Sequence, residues 1–340
     1  MKKGDQIKLN KSLCEGAKFE GFVSEDPEVA TVNELGMVEA VGLGETTITV
    51  KAKLKGSNQM HTATCRVIVT GFIAESIQIN GGESTVKGTF YGKNGKKVVD
   101  GKIIEADIGD IIEIVKDPNT NEDIVSIKDT VIAENSGWIK VESKLTVNAE
   151  GTFTIQKDKT GSGILNVFDT FDIYGTVNIS SGCYIGTKNE GIINIYGIIN
   201  TTQGSQIESS TKFNIQSGGI ANLQSTTICT PFTFTVESGG TLNLQHTLYD
   251  TKINVKSGGV VNVQKGSKIS SEQLIPNATT FSNSSSDSIF DINGGILNLQ
   301  KGSKISAEVI NLQAGSTINV LDGATVQLGG TNYTAGTYNF

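Results

Sequence analysis

The sequence predicts an all-β chain whose C-terminal part, residues 144–340, is a parallel β-helix of about eight coils. Three observations predict it. A phrase recurs through the second half as SGGIANLQ, SGGTLNLQ, SGGVVNVQKGSKIS, NGGILNLQKGSKIS and AGSTINVLDGATV; apolar and polar residues alternate within each copy; and a glycine-bearing corner precedes each alternation. One copy is too small to bury its apolar side alone, so copies must stack on one another.

Laid along the turn glycine of each copy, the repeat reads Gly151, Gly175, Gly197, Gly219, Gly240, Gly259 and Gly295, with Ser316 in the last equivalent place. The steps are 24, 22, 22, 21, 19, 36 and 21 residues. The long step holds residues 271–287, a polar stretch rich in Ser and Asn, as expected of a loop thrown out of one coil. After each corner one parity is apolar and must face inward: Val177/Ile179, Ala221/Leu223, Leu242/Leu244, Val261/Val263, Leu297/Leu299 and Ile318/Val320. The strand before the corner repeats this with Phe213/Ile215, Phe234/Val236, Ile253/Val255, Phe290/Ile292 and Ile310/Leu312. A third short strand ends each coil at Ile228, Ile269, Ile305 or Val326. Stacked coils rise by roughly 4.8 Å each, giving a rod on the order of 40 Å long.

The opposite parity carries a second regularity. Asn178, Asn200, Asn222, Asn243, Asn262, Asn298 and Asn319 recur at one place, several of them followed two residues later by Gln224, Gln245, Gln264 or Gln300. Alternation points these amides to solvent. Two readings stay open: stacked amides that hold the coils in register by hydrogen bonding along the rod, or a flat polar binding face that docks a glycan, a surface or a neighbouring subunit.

Composition narrows the function. The chain is rich in Gly, Ser, Thr, Asn, Ile and Val, and Arg66 is its single arginine, the usage of all-β structure. A formal net charge of −7 with scattered lysines argues against a nucleic-acid surface, which needs clustered Lys and Arg. No apolar run approaches the ~18 residues of a membrane span, so membrane insertion is not expected. The opening MKKGDQIKLNK has the charged start of a signal peptide without its apolar middle. Surface display is then expected after loss of a leader or by a route such as lysis, and a virion protein needs no leader. Cys14, Cys65, Cys183 and Cys229 lie far apart with no CxxC pair or Cys/His cluster, which disfavours zinc. Whether Cys14 and Cys65 pair stays open.

Residues 1–71 carry strands at short intervals, QIKL, KFEGFV, ATV, MVEAV, TTITVKAKL and HTATCRVIVT, the spacing of a small β-sandwich. Asp26-Pro27 sets a turn, Val29 and Val32 supply an inward face, and Gly36 and Gly44 sit at hairpin corners. The run VSEDPEVATVNELGMVEAVGLGETTITVKA resembles the bacterial immunoglobulin-like domain, group 2, through Ser24, Asp26, Pro27, Val29-Ala30-Thr31-Val32, Gly36, Val38, Ala40-Val41, Gly44, Thr46, Ile48 and Val50. Phe22 stands where this family commonly has Trp. The resemblance covers about a fifth of the chain. It implies an Ig-like β-sandwich acting as a non-enzymatic spacer or adhesive module of bacterial surface or tailed-phage virion proteins, and it names no ligand.

Residues 72–143 lack the repeat but stay β-rich, as a connector or an N-terminal cap would; Trp138 is expected to plug that end of the rod. Asp117, Asn119 and Asn121 have the spacing of a calcium loop, yet Glu122 stands where Gly is needed and Lys128 where a bidentate Glu belongs, so a solvated turn is expected and no metal.

Many parallel β-helices act on polysaccharides, which makes catalysis a question for the residues. The Asn-Thr-Asp, Gly-Asp-Asp and Gly-His-Gly phrases of pectin hydrolases are missing, and acids on the rod are isolated at Asp169, Asp172, Asp250 and Asp291. His61 and His246 are the only histidines and have no Ser/Asp partners at recognisable spacing. The outward positions Ile198, Ile220, Thr241, Val260, Ile296 and Thr317 are too mixed for an ice-binding face. The expectation is a non-enzymatic structural or adhesive protein displayed at a surface, without cofactor, with a phage virion component (decoration, fibre or tail protein) preferred over a secreted bacterial adhesin. Its expected partners are other virion or surface proteins and a cell-surface glycan; a homo-oligomer stays open. The other class kept is a carbohydrate-active β-helix enzyme or its glycan-binding derivative. The C-terminal GGTNYTAGTYNF is expected to form a hairpin over the last coil, with Tyr333, Tyr338 and Phe340 as its plug.

Overall fold

The computed structural model describes residues 1–10, 16–79, 84–92, 95–99, 106–134, 138–157, 163–188, 191–207, 212–224, 227–228, 232–245, 247–249, 251–265, 267–270, 289–307, 309–328 and 330–340. The expected loop at 271–287, Cys14, Cys229, His246, Asp250 and the Trp138 side chain lie outside them. Among the described residues the structure is all-β apart from one helical turn at Ala106–Gly109.

The repeats wind into a β-solenoid with three strand stacks. The first runs in parallel from Asp123–Ile127 through Lys144–Val147 and Thr170–Ile173 to Val309–Leu312, and the second from Thr130–Glu134 through Thr152–Gln156 to Thr317–Val320. The third joins Trp138–Val141 to Thr227–Ile228, and a separate sheet carries it on from Thr247–Tyr249 to Thr325–Leu328. Register is strict. Asn178 pairs with Asn200, Asn200 with Asn222, and so on to Asn319, each residue opposite its repeat equivalent. A slip of one residue would turn every inward side chain to water, so the apolar filling specifies the pairing.

Over the sequence-marked repeats the rod makes about seven turns, slightly fewer than the eight expected, because the eight corners from Gly151 to Ser316 bound seven steps. Strands of the preceding stretch stack on it: Ile124–Ile127 pairs with Lys144–Val147, Thr130–Glu134 with Thr152–Gln156, and Trp138–Val141 with Ile164–Val167.

Inside, the expected parity holds. Val177, Ile179, Ala221, Leu223, Leu242, Leu244, Val261, Val263, Leu297, Leu299, Ile318 and Val320 are buried in one continuous cluster running the length of the rod. Phe213 and Phe234, on neighbouring coils, stack with ring centroids 5.4 Å apart and planes 7° apart. Leu312 is partly buried against the cluster, while the Phe290, Ile310 and Ile228 side chains lie outside the described set.

At the N-terminal end a strand pairing in parallel with two stacks and an antiparallel hairpin on the third cover the rod; at the C-terminal end antiparallel returns cover two stacks, and among the described residues none pairs beyond Val309–Leu312 of the first. A covered edge no longer recruits other chains. At the N-terminal end Gly71–Ile79 pairs with two stacks at once, Phe72–Ala74 along Val131–Ala133 and Gln78–Ile79 along Lys140–Val141, with a register shift between Ala74 and Ser76 where it turns the corner. Ile112–Lys116 folds back on Asp123–Ile127, and residues 117–122 form the tip of that hairpin. There Asp117 accepts the Asn119 N–H at 2.7 Å, and Asn121 takes a φ of 58°. At the C-terminal end the expected single hairpin over the coil is replaced by two separate returns. Thr331–Tyr333 pairs with Thr325–Leu328, and Gly336–Asn339 crosses to pair with Thr317–Val320, because residues 331–339 bridge two different stacks. Tyr333 and Tyr338 pack on the core and meet edge to face with centroids 5.0 Å apart, whereas Phe340 stays 41% exposed.

The N-terminal residues form two three-stranded antiparallel sheets. Gln6–Lys8, Met37–Ala40 and Ala30–Val32 make one; Ala17–Ser24, Gly44–Leu54 and Met60–Val69 make the other. Val29, Ala30, Val38, Ala40, Ile48, Val67 and Val69 are buried between them, with Phe22 packed against the cluster. Gly36 has φ +78° at a turn, and a Cβ there would stand 2.8 Å from the Phe22 ring, so both the backbone and the packing require glycine.

Candidate functional site

The amide stripe lies on the second strand stack. From Thr176–Ile179 onward each strand there reads half-buried, buried, half-buried, buried, as in Ile220–Leu223, which puts the asparagine third in the strand on the outer surface. Strict register then stacks one asparagine above another at the coil rise, the distance at which one carboxamide reaches the next. Asn200 Nδ2 donates to Asn178 Oδ1 at 3.0 Å, Asn222 to Asn200 at 2.8 Å, and Asn243 to Asn222 at 2.7 Å. Asn262 donates to Asn243 at 2.7 Å, Asn298 to Asn262 at 2.8 Å, and Asn319 to Asn298 at 2.7 Å. The row is unbroken and its last acceptor is used too: the Thr337 hydroxyl, on the C-terminal cap, donates to Asn319 Oδ1 at 2.9 Å.

The expectation that these amides face solvent holds only in part. Mutual stacking leaves every asparagine of the row half-buried. Gln224, Gln245 and Gln300 are exposed and Gln264 is half-buried; among the described residues no hydrogen bond joins one glutamine side chain to another. The longer side chain stands clear of the sheet instead of lying along it. Asn200, Asn222, Asn243, Gln224, Gln245 and Gln264 come together around a shallow groove of about 310 Å³, floored by Leu223 and edged by Thr201 and Thr202. It offers amide donors and acceptors over apolar carbon, and no titratable group lines it.

A second polar row, on the first strand stack, is the feature that sequence reasoning did not single out. Asn214 Nδ2 donates to Asn194 Oδ1 at 3.0 Å, Asn194 to Asp172 Oδ1 at 2.9 Å, and Lys144 Nζ lies 2.7 Å from Asp172 Oδ2. The hydrogen bond to the buried Asp172 holds Lys144 above the ordinary lysine value, against the opposing pull of burial. Beside this row Tyr174 and Tyr196 stack at 4.5 Å with planes 9° apart. Burial raises the Tyr196 phenol, with Tyr174 and Asp172 adding to it. The signal was present as Asp172, Asn194 and Asn214, each two residues before the end of its corner approach, but it shows only once the coils are aligned.

For catalytic chemistry, the described residues contain no group of three or more His, Cys, Asp or Glu able to hold a metal ion. His61 and Asp169 are exposed and Asp291 is half-buried, each on a different coil or domain. Cys183 is buried, and burial pushes its thiol up. No protein-family model matches this chain, and no curated protein matches it. The resemblance of the N-terminal run to group 2 Ig-like domains therefore rests on its residues alone.

Proposed function

We propose that the protein is a non-catalytic structural or adhesive protein displayed at a surface, built from an Ig-like module at 1–71, a connector and cap at 72–143 and a β-helix at 144–340. A β-helix of this kind is compatible with such a role. The observation that carries the reading is the continuous amide row, a stiff, uncharged, hydrogen-bonding flank along the rod. A phage virion component, as decoration, fibre or tail protein, is the setting preferred; a secreted bacterial adhesin is the alternative. The two facing sheets at the N-terminus support the Ig-like reading. Antibody against the purified protein should label intact phage particles or intact bacteria without permeabilisation. Labelling only after lysis of cells, with none on particles, refutes surface display.

The groove among Asn200, Asn222, Asn243 and the neighbouring glutamines favours a glycan-binding variant of the same reading. A glycan array combined with reducing-sugar and unsaturated-product assays separates it from the enzyme alternative: binding without turnover supports adhesion, and turnover replaces it with catalysis.

A further inference from the structure

Tyr174 and Tyr196 occupy the first position after the inward strand of their coils. The backbone identifies that column, since Tyr174 N–H donates to Val147 O, Tyr196 N–H to Ile173 O and Gln216 N–H to Ile195 O, all at 2.8 Å. Asn148, Gln216, Glu237 and Lys256 make the same bond on other coils, so the fold accepts polar side chains here and does not require an aromatic ring. Both rings are nonetheless exposed, Tyr174 by 46% and Tyr196 by 38%. One face of each ring is covered by the other, so this exposure comes from the outer faces and edges. The two stacked rings form one contiguous exposed aromatic patch rather than singly exposed side chains, and contiguous patches serve as interaction sites.

Its surroundings define the ligand. A protein partner buries on the order of 800 Å² per side around an apolar centre. Two rings bordered by Lys144, Asp172, Asn194 and Asn214 are too small and too polar for that. They suit a ligand with an apolar face and a hydroxyl rim, and tyrosine supplies rigid, amphipathic contact at low entropic cost. A pyranose ring has that shape. With Asp172 and Lys144 neutralising each other at 2.7 Å, the site presents no free charge to select an acidic sugar. We infer that Tyr174 and Tyr196, with the polar row of Asp172, Asn194 and Asn214 beside them, form a binding site for a neutral saccharide. The site lies on a different strand stack from the asparagine row, and it deepens the adhesive reading, on which it rests.

The test uses full-length protein with maltotetraose, cellotetraose and chitotetraose at about 10 mM, tenfold above a millimolar dissociation constant, read by saturation-transfer NMR and by shifts of ¹³C-labelled tyrosine rings. At least one sugar should bind and perturb ring signals. Tyr174→Ala and Tyr196→Ala should each weaken binding at least about tenfold, as expected of central aromatic contacts. The double Tyr→Phe variant should keep affinity within about threefold because it retains the stacking faces. Leu35→Ala, on an exposed residue of the N-terminal sheets, should bind as wild type does. Binding of none of the three sugars, or binding indifferent to both alanine variants with circular dichroism unchanged, overturns the site. Labelled wild type and the double alanine variant are also applied to intact bacteria. If both adhere equally, the tyrosine site fails while adhesion stands; if sugar binds but no cell does, the site stands and the adhesive role fails.

Discussion

Replacing Asn243 by alanine removes two links from the amide row, the bond it accepts from Asn262 and the bond it donates to Asn222, both 2.7 Å. A hydrogen bond contributes a net of about 0.5–1.5 kcal/mol after exchange with water, so losing two should cost about 1–3 kcal/mol. Asn222→Ala likewise removes two, to Asn243 and to Asn200. The double variant removes three and not four, because the bond between Asn222 and Asn243 is shared. Its destabilisation should therefore fall short of the sum by the worth of one bond, about 1 kcal/mol, a coupling expected only between neighbours. Asn178→Ala with Asn298→Ala, which share no bond, should be additive within about 0.5 kcal/mol. Urea unfolding followed by circular dichroism measures all of these. Losses below about 0.3 kcal/mol would show that the row carries no stability, and strict additivity of Asn222→Ala and Asn243→Ala would refute the shared bond between them.

Other expectations follow from single sites. At Gly219 a Cβ would stand 2.0 Å from Ile195 O, whereas at Gly218 it would meet nothing within 4 Å and only the φ of +81° is unfavourable. Gly219→Ala should cost about 3 kcal/mol or more and Gly218→Ala about 1–2 kcal/mol, ranked by thermal melting. Burial alone would raise the Asp123 carboxyl, but the hydrogen bonds from Lys116 and the Ser84 N–H outweigh it and hold it below the usual carboxylate range. A lowered native value means the stability it contributes is complete above the unfolded value of about 4 and is lost as pH falls through the lower native one. The melting-temperature gap between wild type and Asp123→Asn should accordingly be constant at neutral pH and close on acidification; a gap that widens in acid contradicts the pairing. Cys183, buried with a raised thiol, should react with iodoacetamide at least tenfold more slowly than half-buried Cys65 in the native protein, as read by peptide mass spectrometry.

What the sequence reveals of this fold follows from how local each constraint is. The inward residues from Val177 to Val320 were legible because period-two alternation and glycine corners repeat within every coil, and a slip would expose them all. The asparagine column was legible for the same reason. Its half-burial was not, since that depends on each carboxamide lying against the next. The caps were the least legible: Gly71–Ile79 spans two strand stacks, residues 331–339 bridge two at the other end as separate strands, and no repeat specifies where a returning strand crosses. The Tyr174–Tyr196 pair escaped notice because corners of two lengths hide that Tyr196 and Gln216 are equivalent.

Every link of the asparagine row points the same way, the amide of the later coil toward the oxygen of the earlier one, whereas the inter-coil backbone bonds run both ways, Ile198 N–H to Gly175 O but Gly218 N–H to Gly239 O. Backbone dipoles of a sheet largely cancel, but the carboxamide dipoles of the row add, so this flank carries a partial positive pole near Thr154 and a partial negative pole near Asn319. This flank is thus electrically oriented along the rod although its side chains are uncharged, and two such flanks laid face to face would favour an antiparallel arrangement.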